Sequence, residues 1–242
     1  MSGMPAYPQP SAQMPVPHPG AYLKSPNGLS KALVILFGAV IAADLFAVVA
    51  GIGQIGVVGR VIDDPGSVSV ADADSADSLA FVAALLQNLF RLAVIVVFLC
   101  WFWRIRVNAE VFAPADHTHK RGWTIGGWFC PIVNWWFPRA IALDCWHAST
   151  NGPRRSTALV NWWWGMFTAS WVVTWISSRQ YTGAETPEEI RTALASVLLS
   201  DVLSVAAGVL ALLFVRRLTA MQNEKALAGP SVPPIVPNLP TY

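Results

Sequence analysis

Four long, mostly apolar runs dominate this chain, each about the length an α-helix needs to cross a bilayer. They cover residues 33–59, 79–103, 158–177 and 193–215. A helix rises ~1.5 Å per residue and the hydrocarbon layer is ~30 Å thick, so about 20 residues suffice. Interruptions are few: Asp44 and Gln54 in the first run, Gln87, Asn88 and Arg91 in the second, and Asp201 in the fourth. Alternation with a period of two is absent, which argues against a β-barrel. Hydrophobic residues make up 54% of the chain and charged residues only 12%, too little polar surface to meet water all round. The expected fold class is all-α integral membrane, with four transmembrane helices as two hairpins.

Charge sets the expected orientation. Asp63, Asp64, Asp72, Asp74 and Asp77 lie between the first two runs, and Glu185, Glu188 and Glu189 between the last two. Lys24, Lys31, Arg104, Arg106, Lys120, Arg121, Arg154, Arg155, Arg216, Arg217 and Lys225 all fall on the opposite side. The positive-inside rule places that side, with both termini, in the cytoplasm of a multi-pass protein of the cell membrane.

The middle stretch "GWFCPIVNWWFPRA" then has to enter and leave on the cytoplasmic side, because Lys120 and Arg121 precede it and Arg154 and Arg155 follow. Pro131 and Pro138 oppose a continuous helix. Trp123, Trp128, Trp135, Trp136 and Trp146 suit the headgroup boundary, where the ring is buried and the indole N–H stays wet. Residues 123–149 therefore read as a broken interfacial or shallow re-entrant element. Trp101 and Trp103 at the end of the second helix, and Trp162, Trp163 and Trp164 at the start of the third, extend a one-sided aromatic belt.

The domain reading follows: a disordered Pro-rich cytoplasmic tail at 1–30, a membrane domain at 31–218, and a second disordered cytoplasmic tail at 219–242. The first apolar run is longer than the ~7–15 residues of a signal peptide, so an uncleaved anchor is expected. Cys100, Cys130 and Cys145 have no CxxC spacing and read as small buried hydrophobes, with neither a disulfide framework nor a metal site.

"FLCWFWRIRVNAE" followed by "GWTIGGWFCPIVNWWFPRAIALDCWHAS" resembles the actinobacterial integral membrane proteins of domain-of-unknown-function family 4328. The positions that carry the resemblance are Trp101, Arg104, Arg106, Asn108 and Ala109, then Trp128, Pro131, Asn134, Trp136, Pro138, Asp144, Trp146, Ala148 and Ser149. It implies the architecture but no reaction.

Three constellations invite a chemical reading. "GIGQIG" (Gly51, Gly53, Gly56) lacks the strand and soluble helix of a dinucleotide site and is expected to serve close helix packing. "DHTHK" (Asp116, His117, His119) reads as exposed loop. Buried polar residues carry more weight, because charge inside a membrane is costly. Asp44 and Arg91 count to the same depth, roughly 17 Å from the cytoplasmic helix ends, and should pair; Asn88 and Asp201 share a slightly greater depth. Asn134, Arg139 and Asp144 are candidates for a lipid headgroup, with Arg104, Arg106, Lys120, Arg121, Arg154 and Arg155 as lipid-facing cations. The expected function is a non-enzymatic membrane protein that engages lipid, including anionic lipid, or protein partners through the element built on Trp128, Pro131, Asn134, Trp136, Pro138, Arg139, Asp144 and Trp146. The alternative is a small transporter or channel component using Asp44, Arg91, Asn88 and Asp201. No catalytic set, cofactor, metal or nucleic-acid partner is expected; a homo-oligomer or membrane-protein partner is compatible with the pattern.

Overall fold

The computed structural model describes residues 22–153 and 155–229, and among them every regular element is helical. They are α1 (Asn27–Asp63), α2 (Val70–Phe112), α3 (Trp123–Phe129), a 3₁₀ turn (Val133–Trp135), α4 (Phe137–Ala148), α5 (Ala158–Gly183) and α6 (Pro187–Ala228). Three of them, α1, α2 and α6, are long and apolar enough to cross a membrane, which makes this a membrane-embedded protein. At 26 residues α5 is long enough to span, but Trp162, Trp163, Trp164, Trp171 and Trp175 and several Ser and Thr hydroxyls make it less apolar than the others.

The helices outrun the apolar runs that seeded them. α2 begins at Val70 because Ser69 caps it, its Oγ accepting from the Asp72 N–H at 3.1 Å, and Asp72 faces the positive end of the helix dipole. α6 begins with a capping box: Thr186 accepts from the Glu189 N–H, while Glu189 accepts from the Thr186 N–H. Asp72, Asp74 and Asp77 are thus helical rather than loop residues, and the loops contract to 64–69 and 184–186. The expected tails shorten as well. Residues 27–30 belong to α1 and 219–228 to α6; residues 22–26 and 229 are non-helical, and 1–21 and 230–242 lie outside the described residues.

α1 packs along both α2 and α6, and α6 packs along α5. α2 and α5 do not pack on each other along their lengths; they meet where the Phe98 and Trp163 rings lie 6.0 Å apart. The broken middle element sits at that end of the bundle, the end that carries Arg104, Arg106 and Arg121, hereafter the basic end. There the principal core forms from Leu33, Trp101, Phe102, Ile105, Ile141, Trp146, Trp163 and Phe214, all buried.

This core corrects the expected belt. Trp101, Trp146, Trp163 and Trp164 are buried, whereas Trp135, Trp136 and Trp162 are exposed. Trp163 stacks on Phe214 at 4.6 Å and Trp146 stacks on the same ring at 6.3 Å. An aromatic side chain buries so much area that a helix end rich in Trp can build a core as readily as a membrane boundary. Cys100 is exposed and Cys145 is buried, so only part of the cysteine expectation matches.

The glycine triplet is also corrected. A Cβ on Gly51 would meet Leu198 at an ordinary 3.7 Å, while Gly53 and Gly56 face open space. The close approaches lie elsewhere, at Gly127 of α3, where a Cβ would stand 3.2 Å from Phe137 Cβ, and at Gly208 of α6, where it would stand 3.2 Å from Ile41 Cγ1. Gly208→Val is therefore expected to destabilise the fold by about 1–3 kcal/mol through overpacking. Gly53→Ala should be neutral or stabilise by up to about 1 kcal/mol through helix propensity. Thermal unfolding of the detergent-purified protein checks both.

Candidate functional site

At the basic end, the Trp-x-x-Arg-x-Arg-x-Asn-Ala run faces inward along the last turns of α2. Trp101 Nε1 donates to Thr219 Oγ1 of α6 at 3.0 Å. Asn108 Nδ2 donates to Gln222 Oε1 (2.9 Å) and to the Lys24 carbonyl (2.8 Å), while its Oδ1 accepts from the Lys24 N–H (2.9 Å). A short segment before α1 is thereby clamped as if it were a paired strand, and Arg104 Nη1 reinforces it by donating to the Ser25 carbonyl at 3.0 Å. Gln222 Nε2 in turn donates to the Ile105 carbonyl and Ser149 Oγ. A buried amide can hold three elements in this way because each of its donors and acceptors finds a partner.

Arg106 is only 2% exposed, which corrects its expected place on a lipid-facing surface. α2 continues to Phe112, and the loop after it folds back with α4 over the guanidinium. Arg106 Nε donates to Glu110 Oε1 at 3.1 Å and Nη2 to the His119 carbonyl at 2.7 Å. Arg121 pairs with the other oxygen of Glu110. Asp144 accepts from the Thr118 N–H (2.9 Å) and hydroxyl (2.8 Å). The His-containing loop is thus latched down instead of free, and the His119 ring packs on Phe137 at 4.1 Å. Of the other expected cations, Arg155 pairs with Glu224 at 3.3 Å, Lys120 is exposed, and Arg154 lies outside the described residues.

Burial pushes the Cys145 thiol up to about 12, against the opposing pull of Arg106, so it stays neutral in the core. Arg121 is raised by its bond to Glu110. His117 is held below its ordinary value of 6.5, first by burial and then by the Arg106 guanidinium, with Asp144 and Glu110 opposing.

Where the middle element meets α5, the side chains leave a half-open cleft of about 90 Å³ lined by Trp128, Asn134, Trp135, Trp164, Phe167 and Trp171. The breaks at Pro131 and before Pro138 let the chain turn there: Asn134 N–H donates to the Cys130 carbonyl, and Pro138 is buried in the first turn of α4. Trp128 is wedged edge-on against Phe98 (5.5 Å), Trp164 (5.9 Å) and Phe167 (6.1 Å), and its indole N–H has no partner. Trp164 Nε1 donates to the Trp135 carbonyl at 3.2 Å. One turn nearer the basic end, Arg139 is held by Asn161 Oδ1 at 3.1 and 2.7 Å. Trp164, Phe167 and Trp171 follow at helical spacing down α5. Asn134 and Trp128 thus come together at the cleft, Arg139 is tied to Asn161 instead, Trp136 is exposed, and Asp144 and Trp146 belong to the latch and the core.

A second polar group lies inside the bundle. Arg91 Nη2 donates to Asp44 Oδ1 at 2.8 Å, the two residues that counting puts at equal depth. Asn88 departs from expectation: it is exposed, and its Nδ2 donates to the Ala84 carbonyl of its own helix at 2.8 Å. Gln87 takes its place, with Nε2 donating to Asp44 Oδ1 (2.9 Å) and to Asp201 Oδ1 (3.0 Å). Gln87 stands one helical turn from Arg91 on the same face, a signal available in the sequence that depth counting alone passes over.

A family model described as Domain of unknown function (DUF4328) matches residues 64–220. No curated protein and no solved structure matches the chain.

The latch carries a pH signature. Since the fold lowers the His117 value, its contribution is complete above the ordinary value of 6.5 and is lost as pH falls toward the folded value. Hydrogen exchange in residues 113–122, corrected for intrinsic rate, is expected to quicken as pH falls below the ordinary histidine value of 6.5. In His117→Asn the same window should be flat.

Proposed function

The chain belongs to this family of unknown function, and from its architecture we propose that it is a non-enzymatic, multi-pass protein of the cell membrane that engages phospholipid through the Trp/Pro element. α5 serves as a fourth span in this reading. It lies along α6, itself apolar enough to cross, and only residues 184–186 join the two. Both termini and the basic end face the cytoplasm, because Lys and Arg gather there and the acidic turns gather at the other end.

The observation that carries the reading is the half-open aromatic cleft between the middle element and α5. Arg139 is bonded to Asn161, one turn before Trp164 on α5, and Trp164, Phe167 and Trp171 run from there toward the membrane interior. A phospholipid has the same polarity along its length: a charged head at the boundary and hydrocarbon below it. The volume suits a segment of one chain, with the remainder in the bilayer. The Asn134 side chain at the lining of the cleft offers a polar partner for the ester groups. Exposed Trp135, Trp136 and Trp162 flank the site as boundary anchors. Anionic headgroups gain further from exposed Lys120 at the same end, at about 1 kcal/mol for such a residue near the surface.

Thr168 also lines the cleft, and filling it with Thr168→Phe is expected to reduce retained lipid, read by native mass spectrometry from nanodiscs, by about tenfold. Arg139→Gln should lower the preference for anionic over zwitterionic lipid. Equal retention by wild type and Thr168→Phe would sink the reading. Single-cysteine labels before Trp123 and after Arg155 are expected to react from the same side of the membrane, and opposite labelling would remove the proposed topology.

A further inference from the structure

The polar group inside the bundle has one negative charge too many. Asp44 of α1 is fully buried and Asp201 of α6 is 8% exposed. The single nitrogen of the Gln87 amide bridges them, with one hydrogen to each carboxylate. Arg91 is the only cation within reach among the described residues. It binds Asp44 Oδ1 and leaves 40% of its own side chain exposed. The second oxygen of Asp44 is buried and accepts no hydrogen bond. Among the described residues, the charged or titratable groups facing the cluster are Asp44 from α1, Arg91 from α2 and Asp201 from α6. On α5, Thr174 pairs with the Ser200 hydroxyl of α6, 2.6 Å apart, and adds no charge.

Two carboxylates against one guanidinium leave a net charge of −1 in surroundings that offer little solvation. An uncompensated buried charge costs several kcal/mol, so a further positive charge is drawn to the site. The orphan Asp44 oxygen is where the present hydrogen bonds leave an acceptor unused. Gln87 is an adaptable partner: its two hydrogens now serve two anions, and a half-turn of the same amide would offer its oxygen to a cation.

We infer that Asp44, Gln87 and Asp201 form a binding site for one monovalent positive charge, a proton or an alkali metal ion, in addition to Arg91. This does not rest on the lipid reading. α2 and α6 pack little against each other directly, so the Gln87–Asp201 bond is a tie between them within the bundle, and occupancy of the site would set how firmly α2 is held to α6.

The test is thermal unfolding of the full-length protein in nanodiscs, with sodium exchanged for choline at fixed pH in one arm and pH varied at fixed sodium in the other. Wild type is expected to gain about 3–5 °C in one arm: a sodium response identifies the metal ion, and a response to acid alone identifies the proton. Asp201→Asn keeps an acceptor for Gln87 but removes the surplus charge. It should raise stability at neutral pH and abolish whichever response wild type shows. Asp44→Asn, which leaves Arg91 without its carboxylate, should lower stability. If Asp201→Asn is less stable than wild type and responds to sodium and acid as wild type does, the site is only a structural hydrogen-bond bridge and the inference fails. It fails equally if wild type responds in neither arm.

Discussion

Trp128 fills the space that α2 and α5 leave between them at the basic end, and the rest of the arrangement depends on that wedge. α1 and α6 each have a long helical neighbour on two sides, but α2 and α5 lack a direct mutual interface. The facing Phe and Trp side chains of the two helices would lack packing partners across that gap, and a third element supplies them. The indole lies edge-on to Phe98 of α2 and to Trp164 and Phe167 of α5, a geometry in which the positive ring edge meets the negative ring face. The prolines bring it there by breaking the chain into short helices that follow the gap instead of crossing it.

Around this wedge, polar side chains tie together what the aromatic contacts leave adjustable. Ring packing tolerates sliding, whereas hydrogen bonds from Asn108 to both Gln222 and the backbone of Lys24 set one register for α2, α6 and the segment before α1. Arg106 does the same for the loop and α4. Breaking a buried pair by removing one partner typically costs about 3–5 kcal/mol, so these residues are stability determinants even though their charge suggests a surface. The motif that links the chain to its family is, in this structure, mostly a device for closing one end of a helical bundle.

The two ends of the bundle consequently differ in character. The basic end is closed, aromatic and hydrogen-bonded, with a half-open cleft at its edge. The interior carries the Asp44–Gln87–Asp201 cluster, in which two carboxylates face one guanidinium. The two proposed roles, lipid contact and cation binding, thus fall on separate parts of the bundle.

Much of this was legible in the amino-acid sequence alone: the helical class, the long apolar segments, the broken middle stretch between two prolines, and the equal depth of Asp44 and Arg91. These follow from one-dimensional quantities, namely run length, proline position and residue count along a helix of known rise. Where helices end was less legible, because Ser69 and the Thr186–Glu189 box carry helix past the apolar runs. Which tryptophans line the core, why Gln87 rather than Asn88 bridges two helices, and why Arg106 is buried were decided by tertiary structure only. A side chain's neighbours depend on the rotation of each helix about its axis, and that rotation is set by contacts between segments far apart in the chain, which composition and spacing do not encode.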